Sequence, residues 1–291
     1  MTPASKTDLK YAYYPGCSLE ATAMEYDWSV RAVCSHLGIE LEELPGWNCC
    51  GASSGHSTSH WLATMLAGRN LALAEKIGMD IVVACPACYI RLRSAGHEIR
   101  HDASMRDELA GVTGLPCPAE YTTRHLLDIV CNELGMENLK QRIVKPLKGL
   151  RLVAYYGCYL VRPPELVAFD DPENPQCMDL LLDVLGAEVK DWSGKVDCCG
   201  GSLSLSKREI ASRMVSELAE MARRAGAEAI VAACPLCHAN LEMRQSGSSE
   251  GKLPVFYFTE LIGLALGISQ ARSWLKKHLV SPFGLLASHG L

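Results

Sequence analysis

The sequence predicts an α/β protein of two pseudo-symmetric halves, each a small parallel sheet flanked by helices. Three observations carry this expectation: a motif set that occurs twice in the same order, short apolar runs that end at Gly-Cys or Cys-Pro, and helix-spaced apolar residues between those runs. Tyr14, Gly16, Cys17 and Leu19 reappear as Tyr155, Gly157, Cys158 and Leu160. Asn48-Cys49-Cys50-Gly51 reappears as Asp197-Cys198-Cys199-Gly200, and Ser53 as Ser202. Ile81-Val82 before Cys85-Pro86-Ala87-Cys88 reappears as Ile230-Val231 before Cys234-Pro235-Leu236-Cys237. The closing stretches agree too: Leu115-Pro116 with Tyr121 and Thr123 recurs as Leu253-Pro254 with Tyr257 and Thr259, and Val144 with Pro146 as Val280 with Pro282. Such self-similarity reads as a duplicated unit, with a first domain at 1–149 and a second at 150–291.

The elements follow in order. Lys10 to Tyr14 and Leu152 to Tyr156 are apolar, aromatic-rich runs, and Ile81 to Ala84 and Ile230 to Ala233 are similar. Runs of this kind suit buried parallel strands. Between them, Leu62, Leu66, Leu73 and Ile77 fall at helical spacings, as do Ile210, Met214, Leu218 and Met221. Ser206 and Glu209 have capping-box spacing ahead of the second stretch. Strand–helix alternation argues for a parallel sheet covered by helices, with ligands at the carboxyl ends of the strands. The repeated cysteines all fall at such ends or just after them. In both halves 34 residues separate the cysteine pair from the Cys-Pro-x-Cys. The gap from the lone cysteine to the pair is 31 residues in the first half and 39 in the second, and a loop rich in Asp and Pro around Asp170 to Pro175 accounts for the difference.

Composition narrows the function. The chain has 291 residues, 48% of them hydrophobic, enough for two domains of roughly 145 residues. A net charge of −5 gives no basic footprint for nucleic acid. No uninterrupted apolar run approaches the ~18 residues of a membrane span. The stretch from Met1 to Lys10 has neither the apolar core nor the cleavage site of a secretory signal, so a cytoplasmic location is expected. Fourteen cysteines in such a chain point to metal or redox chemistry.

Ten of the fourteen belong to the repeat. Thiolate sulfur suits iron–sulfur clusters, zinc and copper(I). Structural zinc needs four ligands, commonly from two Cys-x-x-Cys clips; here each half has one clip, one adjacent pair and one lone cysteine. Adjacent cysteines splay their side chains and favour two neighbouring metal atoms over one. Five thiolates exceed what one zinc or one cubane 4Fe–4S cluster requires, although zinc in each half remains the alternative. Disulfides rank lower, because each half would leave an odd cysteine. Glycines beside the cysteines permit close backbone approach, and backbone N–H groups there are placed to tune cluster sulfurs.

The order Cys, long gap, Cys-Cys-Gly, long gap, Cys-Pro-x-Cys, given twice over nearly the whole chain, resembles the twin cysteine-rich CCG domains of the B-type subunits of heterodisulfide reductase. The resemblance implies two non-cubane 4Fe–4S clusters, one held by Cys17, Cys49, Cys50, Cys85 and Cys88, the other by Cys158, Cys198, Cys199, Cys234 and Cys237. It implies clusters that face each other across a pocket where a disulfide is split, one sulfur going to each. Coenzyme M–coenzyme B heterodisulfide is the family's substrate; homologues act on other disulfides, thiols or sulfur carriers. The chain lacks a ferredoxin Cys-x-x-Cys-x-x-Cys run and a Gly-x-Gly-x-x-Gly fingerprint. Electrons must therefore pass through another protein. The resemblance implies a small ferredoxin-like iron–sulfur subunit (the C type) and a flavin subunit (the A type).

Residues outside the repeat have plainer readings. Cys34 and Cys131 sit in helical apolar patterns as small core residues, while Cys117 and Cys177 have no assigned role. His238 follows Cys237 and is a candidate proton or hydrogen-bond donor near the second cluster, with Tyr89 at the matching position of the first half. His56 and His60 read as a solvated helix start rather than metal ligands. Lys207 and Arg208 read as a solvated face, with attraction of an anionic substrate the alternative. The tail from Trp274 to Leu291 is expected to pack on the body rather than on a partner or membrane. Two functions stay open: a sulfur-group oxidoreductase subunit, and an electron-transfer or docking subunit of the kind found in some succinate dehydrogenases and in lactate or glycolate oxidation systems.

Overall fold

The structure, a computed structural model, describes residues 9–52, 54–167, 169–246 and 251–291. Ser53 of the repeat and the opening stretch through Asp8 lie outside the described residues.

In the first half β1 (Lys10–Tyr14) leads through α1 (Gly16–Glu20) and α2 (Met24–Leu37) to β2 (Glu40–Glu43). Helices α3 (Ser54–Thr58) and α4 (His60–Ile77) lead to β3 (Ile81–Val83), and α5 (Pro86–His101) and α6 (Ala103–Thr113) to β4 (Thr123–His125). Then come α7 (Leu126–Asp128), a π-helical stretch (Ile129–Gly135) and α8 (Met136–Lys140). The second half runs β5 (Arg151–Tyr155), α9 (Cys177–Val184), β6 (Glu188–Val189), a 3-10 turn (Gly201–Leu203), α10 (Arg208–Arg224), β7 (Ala229–Ala232) and α11 (Pro235–Arg244). It closes with β8 (Val255–Tyr257), α12 (Phe258–Ala265), α13 (Ala271–Trp274) and α14 (Phe283–Ser288).

The two sheets are all-parallel, four-stranded and equivalent, in orders β2-β1-β3-β4 and β6-β5-β7-β8. The symmetry extends to register, for Tyr14 sits opposite Val83 and Tyr155 opposite Ala232. Strand order reverses between β1 and β3 and between β5 and β7, which opens a crevice at their carboxyl ends. The four strands read from sequence are present, shifted by at most one residue. The outer strands escaped that reading. β2 is Glu40-Leu41-Glu42-Glu43 and pairs on one side only, so it carries no apolar run. Lys10 on β1 pairs with Glu40 at 2.8 Å and Glu42 at 3.2 Å, and the exposed carboxylates discourage edge-to-edge pairing.

Helices α4 and α10 lie where the spacings predicted, but apart from Leu218 the fully buried residues are different ones. Ala63, Met65, Ala67, Leu71 and Ala74 are buried on α4, while Leu62, Leu66, Leu73 and Ile77 are half-buried. Small residues let α4 approach α5: a Cβ on Gly68 would come within 2.7 Å of Ile99 Cδ1. On α10, Ala211, Val215, Leu218, Ala219 and Ala222 are buried and Ile210 is exposed. The Ser206/Glu209 capping box is corrected. Lys207 occupies the N-cap and offers no side-chain cap, because the turn after Gly201 closes through Lys207 N–H donating to Leu203 O at 2.8 Å. The additional length of the second half lies in the loop before α9, where the Asp170 carboxylate accepts from the Gln176 and Cys177 N–H groups and fixes the helix start.

The halves exchange helices across their contact. α2 of the first packs on α12 and α13 of the second, and α9 of the second packs on α7, the π-helical stretch and α8 of the first. One hydrophobic core therefore runs through both, with a smaller cluster on the far face of the second sheet. Trp274, Leu275, Leu286 and Leu291 of the tail are buried in the body.

Candidate metal centre

All ten repeated cysteines collect at the carboxyl ends of the strands. Cys17 and Cys158 follow β1 and β5, the cysteine pairs lie on the loops after β2 and β6, and Cys85 and Cys234 are the N-cap residues of α5 and α11. Each clip has its proline in the first helical turn, where a missing N–H costs no intrahelical bond, so its second cysteine faces back along the same turn.

Within each half the sulfurs touch in sequence. Cys50 Sγ lies 3.3 Å from Cys88 Sγ, and its counterpart Cys199 lies 3.5 Å from Cys237. Cys17 engages Cys49, Cys158 engages Cys198, and each clip closes on itself. The Cys85 thiol also engages the Cys234 thiol, so the two sets meet where the halves join. Six of the ten are buried, while Cys17, Cys49 and Cys198 are exposed and Cys158 is half-buried. A small cleft of about 70 Å³ lies over the second set, lined by Cys158, Cys198, Cys199, Cys234 and Cys237, with Pro86 and Ala87 of the first half on its wall.

The surroundings suit a multinuclear sulfur-ligated group. Backbone N–H groups of Gly51 and Gly200 donate to Cys49 Sγ (3.5 Å) and Cys198 Sγ (3.3 Å), and Cys237 N–H donates to Cys234 Sγ (3.4 Å). Donation from the Cys158 thiol, then from Gly200 N–H, holds the Cys198 thiol down to about 6. Cys49 is held lower still, by Cys17 and then Cys50. Burial instead pushes the Cys34 thiol up to about 12, as expected of a core cysteine on α2. Gly16 has φ +70°, and a Cβ there would stand 3.0 Å from Cys88 Sγ; Gly157, at φ +67°, has the same relation to Cys237 at 3.3 Å. Only glycine allows the sulfur this close. Tyr14 and Tyr155 donate to the carbonyls of Asn48 and Asp197 at 2.8 and 2.7 Å, pinning the loop just before each cysteine pair.

Residues outside the repeat fall elsewhere. Cys131 lies against Cys177 where α9 meets the first half, 3.4 Å from its carbonyl, and Cys117 is half-buried. His56 and His60 are exposed, near Arg91 and Glu98 respectively. Lys207 and Arg208 are exposed at the start of α10. His238 is buried: its ring stacks on Tyr257 at 4.1 Å and meets His278 edge-on at 4.8 Å. Tyr26 went unrecognised in the sequence. Its hydroxyl reaches both Ala84 O (3.0 Å) and Ala233 O (3.1 Å), the residues before Cys85 and Cys234. The repeat holds no counterpart to signal it.

Known proteins repeat this arrangement. The family described as cysteine-rich domain (CCG) matches residues 11–93 and again 152–242. The 8-methylmenaquinol:fumarate reductase membrane anchor subunit of Wolinella succinogenes is 32% identical over 282 residues, covering 93% of this chain and 97% of that protein. The B-type subunit of the ferredoxin/F420H2-dependent CoB-CoM heterodisulfide reductase of Methanosarcina acetivorans is 29% identical over 291 residues, covering 96% of each. A crystal structure of a hypothetical protein from Helicobacter pylori shares the fold at a TM-score of 0.69 and 10% identity, over 94% of this chain and 52% of that one, so this chain spans about half its length. No helix among the described residues is long and apolar enough to cross a membrane.

Proposed function

This chain belongs to the cysteine-rich CCG-domain family, and from that premise we propose that it is the iron–sulfur subunit of a heterodisulfide reductase-like complex, an oxidoreductase acting on sulfur groups. The observation that carries the reading is the junction of the two thiol sets, where the Tyr26 hydroxyl reaches Ala84 O and Ala233 O, just before Cys85 and Cys234, at 3.0 and 3.1 Å. Residues 1–149 and 150–291 are the proposed domains. Cys17, Cys49, Cys50, Cys85 and Cys88 hold one 4Fe–4S cluster of the non-cubane kind, and Cys158, Cys198, Cys199, Cys234 and Cys237 hold the other. Bound clusters supply one-electron chemistry and iron sites soft enough for sulfur.

The chain's own residues shape where that chemistry occurs. Pro86, Ala87 and Leu236 wall the cleft with apolar surface. Gly16 and Gly157 leave room for Cys88 and Cys237. A disulfide lying in the cleft would meet the second ligand set, with Pro86 and Ala87 of the first half beside it, and its reduction to two thiols takes two electrons and two protons. The sequence has no ferredoxin run or dinucleotide fingerprint to supply those electrons, so a ferredoxin-like partner and, beyond it, a flavin protein are proposed to deliver them. The cytoplasm, where thiols stay reduced, is the proposed site of action.

Anaerobic purification with copurifying subunits tests the reading: roughly eight irons per chain with matching acid-labile sulfide are expected for two four-iron clusters, together with viologen-driven reduction of small disulfides. Two zinc atoms without sulfide would overturn it. The 32% identity to a menaquinol:fumarate reductase subunit favours a second reading, an electron-transfer or docking subunit of a quinone-linked complex. Quinol oxidation without disulfide turnover would select that one.

A further inference from the structure

Behind the second cysteine set, on the side of α11 that meets the tail, lies a polar cluster that the proposed redox chemistry does not use. His238 on α11, Glu260 on α12 and His278 after α13 place one ligating atom each within 4.8 Å of one another. The His238, Glu260 and His278 side chains are sealed from solvent; those of Glu260 and His278 have no exposed surface. Glu242, one turn along α11 from His238, and Glu25 of α2 complete the surroundings and are also buried.

We propose that His238, His278 and Glu260 bind one divalent transition-metal ion of the zinc type, with Glu242 and the Val255 backbone orienting the two imidazoles from behind.

Four features argue for it. The donor set is two imidazoles and a carboxylate, a recurring set for zinc with a fourth position open. Each imidazole has a polar neighbour behind it, and His278 Nδ1 and His238 Nε2 are both buried without a hydrogen-bond partner among the described residues. His278 Nδ1 faces Glu242 Oε1 at 3.4 Å while its Nε2 lies 2.9 Å from Glu260 Oε1. The Val255 backbone engages the His238 ring, whose Nε2 is buried with no hydrogen-bond partner among the described residues. Ligating histidines almost always have such a second partner, which fixes ring and tautomer.

The third feature is orientation of the carboxylates. Glu260 Oε2 is fixed by Tyr257 N–H at 2.9 Å and Glu242 Oε2 by Leu279 N–H at 2.8 Å, which leaves Glu260 Oε1 aimed at the cluster. The fourth is charge. Three buried carboxylates share this pocket, and among the described residues no Lys or Arg pairs with any of them; the His278 ring is their one cationic neighbour. Burying uncompensated carboxylates is costly, and a divalent cation answers that cost more fully than one imidazolium. Tetrahedral zinc with ligands at ~2.0–2.2 Å places donors roughly 3.4 Å apart, so closure needs side-chain shifts of about an ångström. The ion would tie together α11, α12 and the tail, beside Cys237 of the second ligand set.

The test uses the whole chain, purified anaerobically with its full iron content so that the cysteines are occupied, then given equimolar Zn2+ and desalted. One retained zinc per chain is expected, with X-ray absorption showing only nitrogen and oxygen neighbours at ~2.0–2.1 Å. His278→Gln should weaken zinc retention at least tenfold at unchanged iron and sulfide. No retained zinc would overturn the site and leave His278 as an imidazolium held between Glu242 and Glu260. Sulfur neighbours at ~2.3 Å would place the ion among the cysteines and overturn it equally. Unchanged zinc affinity in a folded His278→Gln would do the same; should that variant fail to fold, the spectrum of the unmodified protein still decides.

Discussion

Tyr26 and Tyr257 lie face to face, ring centroids 3.9 Å apart with 4° between their planes. One belongs to each half. The stack continues to His238 on the far face of Tyr257, and the Tyr26 hydroxyl sits between the Ala84 and Ala233 carbonyls. Ala84 O has a second donor in His125 Nε2 at 3.0 Å. Tyr26→Phe should therefore cost about 1–2 kcal/mol, the usual scale for a buried acceptor losing its donor. Denaturant midpoints with unchanged m-values would show it; a difference below about 0.3 kcal/mol would mean the bridge contributes nothing beyond what water supplies.

Cluster ligands and core cysteines should separate cleanly. Cys50→Ser and Cys199→Ser should each lose roughly half of the roughly eight irons, one four-iron cluster, because the two sets share no ligand. Cys34→Ser and Cys131→Ser should keep both clusters and lose about 1–3 kcal/mol where the new hydroxyl finds no partner. Iron content and electron paramagnetic resonance decide. Full iron in Cys50→Ser, or cluster loss in Cys34→Ser, would show the ligand set to be drawn wrongly.

Gly16 and Gly38 make a matched pair, since both have positive φ but only Gly16 has a cysteine sulfur against its missing Cβ. Alanine at either should cost roughly 1–2 kcal/mol of backbone strain. Gly16→Ala should in addition displace Cys88 and reduce iron in the first set, whereas Gly38→Ala should retain it. Equal iron content in the two variants would count against the close-approach argument.

His125 gives a pH signature. Burial pushes its pKa down to about 4. Its neutral ring donates from Nε2 to Ala84 O and accepts at Nδ1 from Leu127 N–H, capping α7. Between the ordinary histidine value and about 4 the unfolded chain binds the proton and the folded one does not, so stability is full above that window and falls as pH drops through it. The expected slope approaches about 1.4 kcal/mol per pH unit. Denaturation of the wild type and His125→Gln between about pH 7.5 and 5.5, spanning the onset of histidine protonation, should show a slope that the variant reduces.

The sequence by itself determined the duplication, the two sets of five cysteines and the strands that end at them. These are local or periodic signals: an apolar run, a glycine before a cysteine, a proline in the first turn of a helix. It could not show β2, because a solvent-facing edge strand of glutamates has no apolar pattern to read. Leu218 aside, it marked residues at the margin of the buried faces of α4 and α10, because small residues at close helix contacts matter by fit rather than by hydrophobicity. Only the tertiary structure decided that Cys85 meets Cys234, that Tyr26 bridges Ala84 and Ala233, and that His278 closes on Glu260 and His238. His238 and Glu242 stand four apart on one helix, but His278 arrives from the tail and Glu25 from the other half. Contacts between residues so distant in the chain arise from the packing of α2 on α12 and of the tail on α11. That packing follows from the shape of the whole core and leaves no mark at any single position.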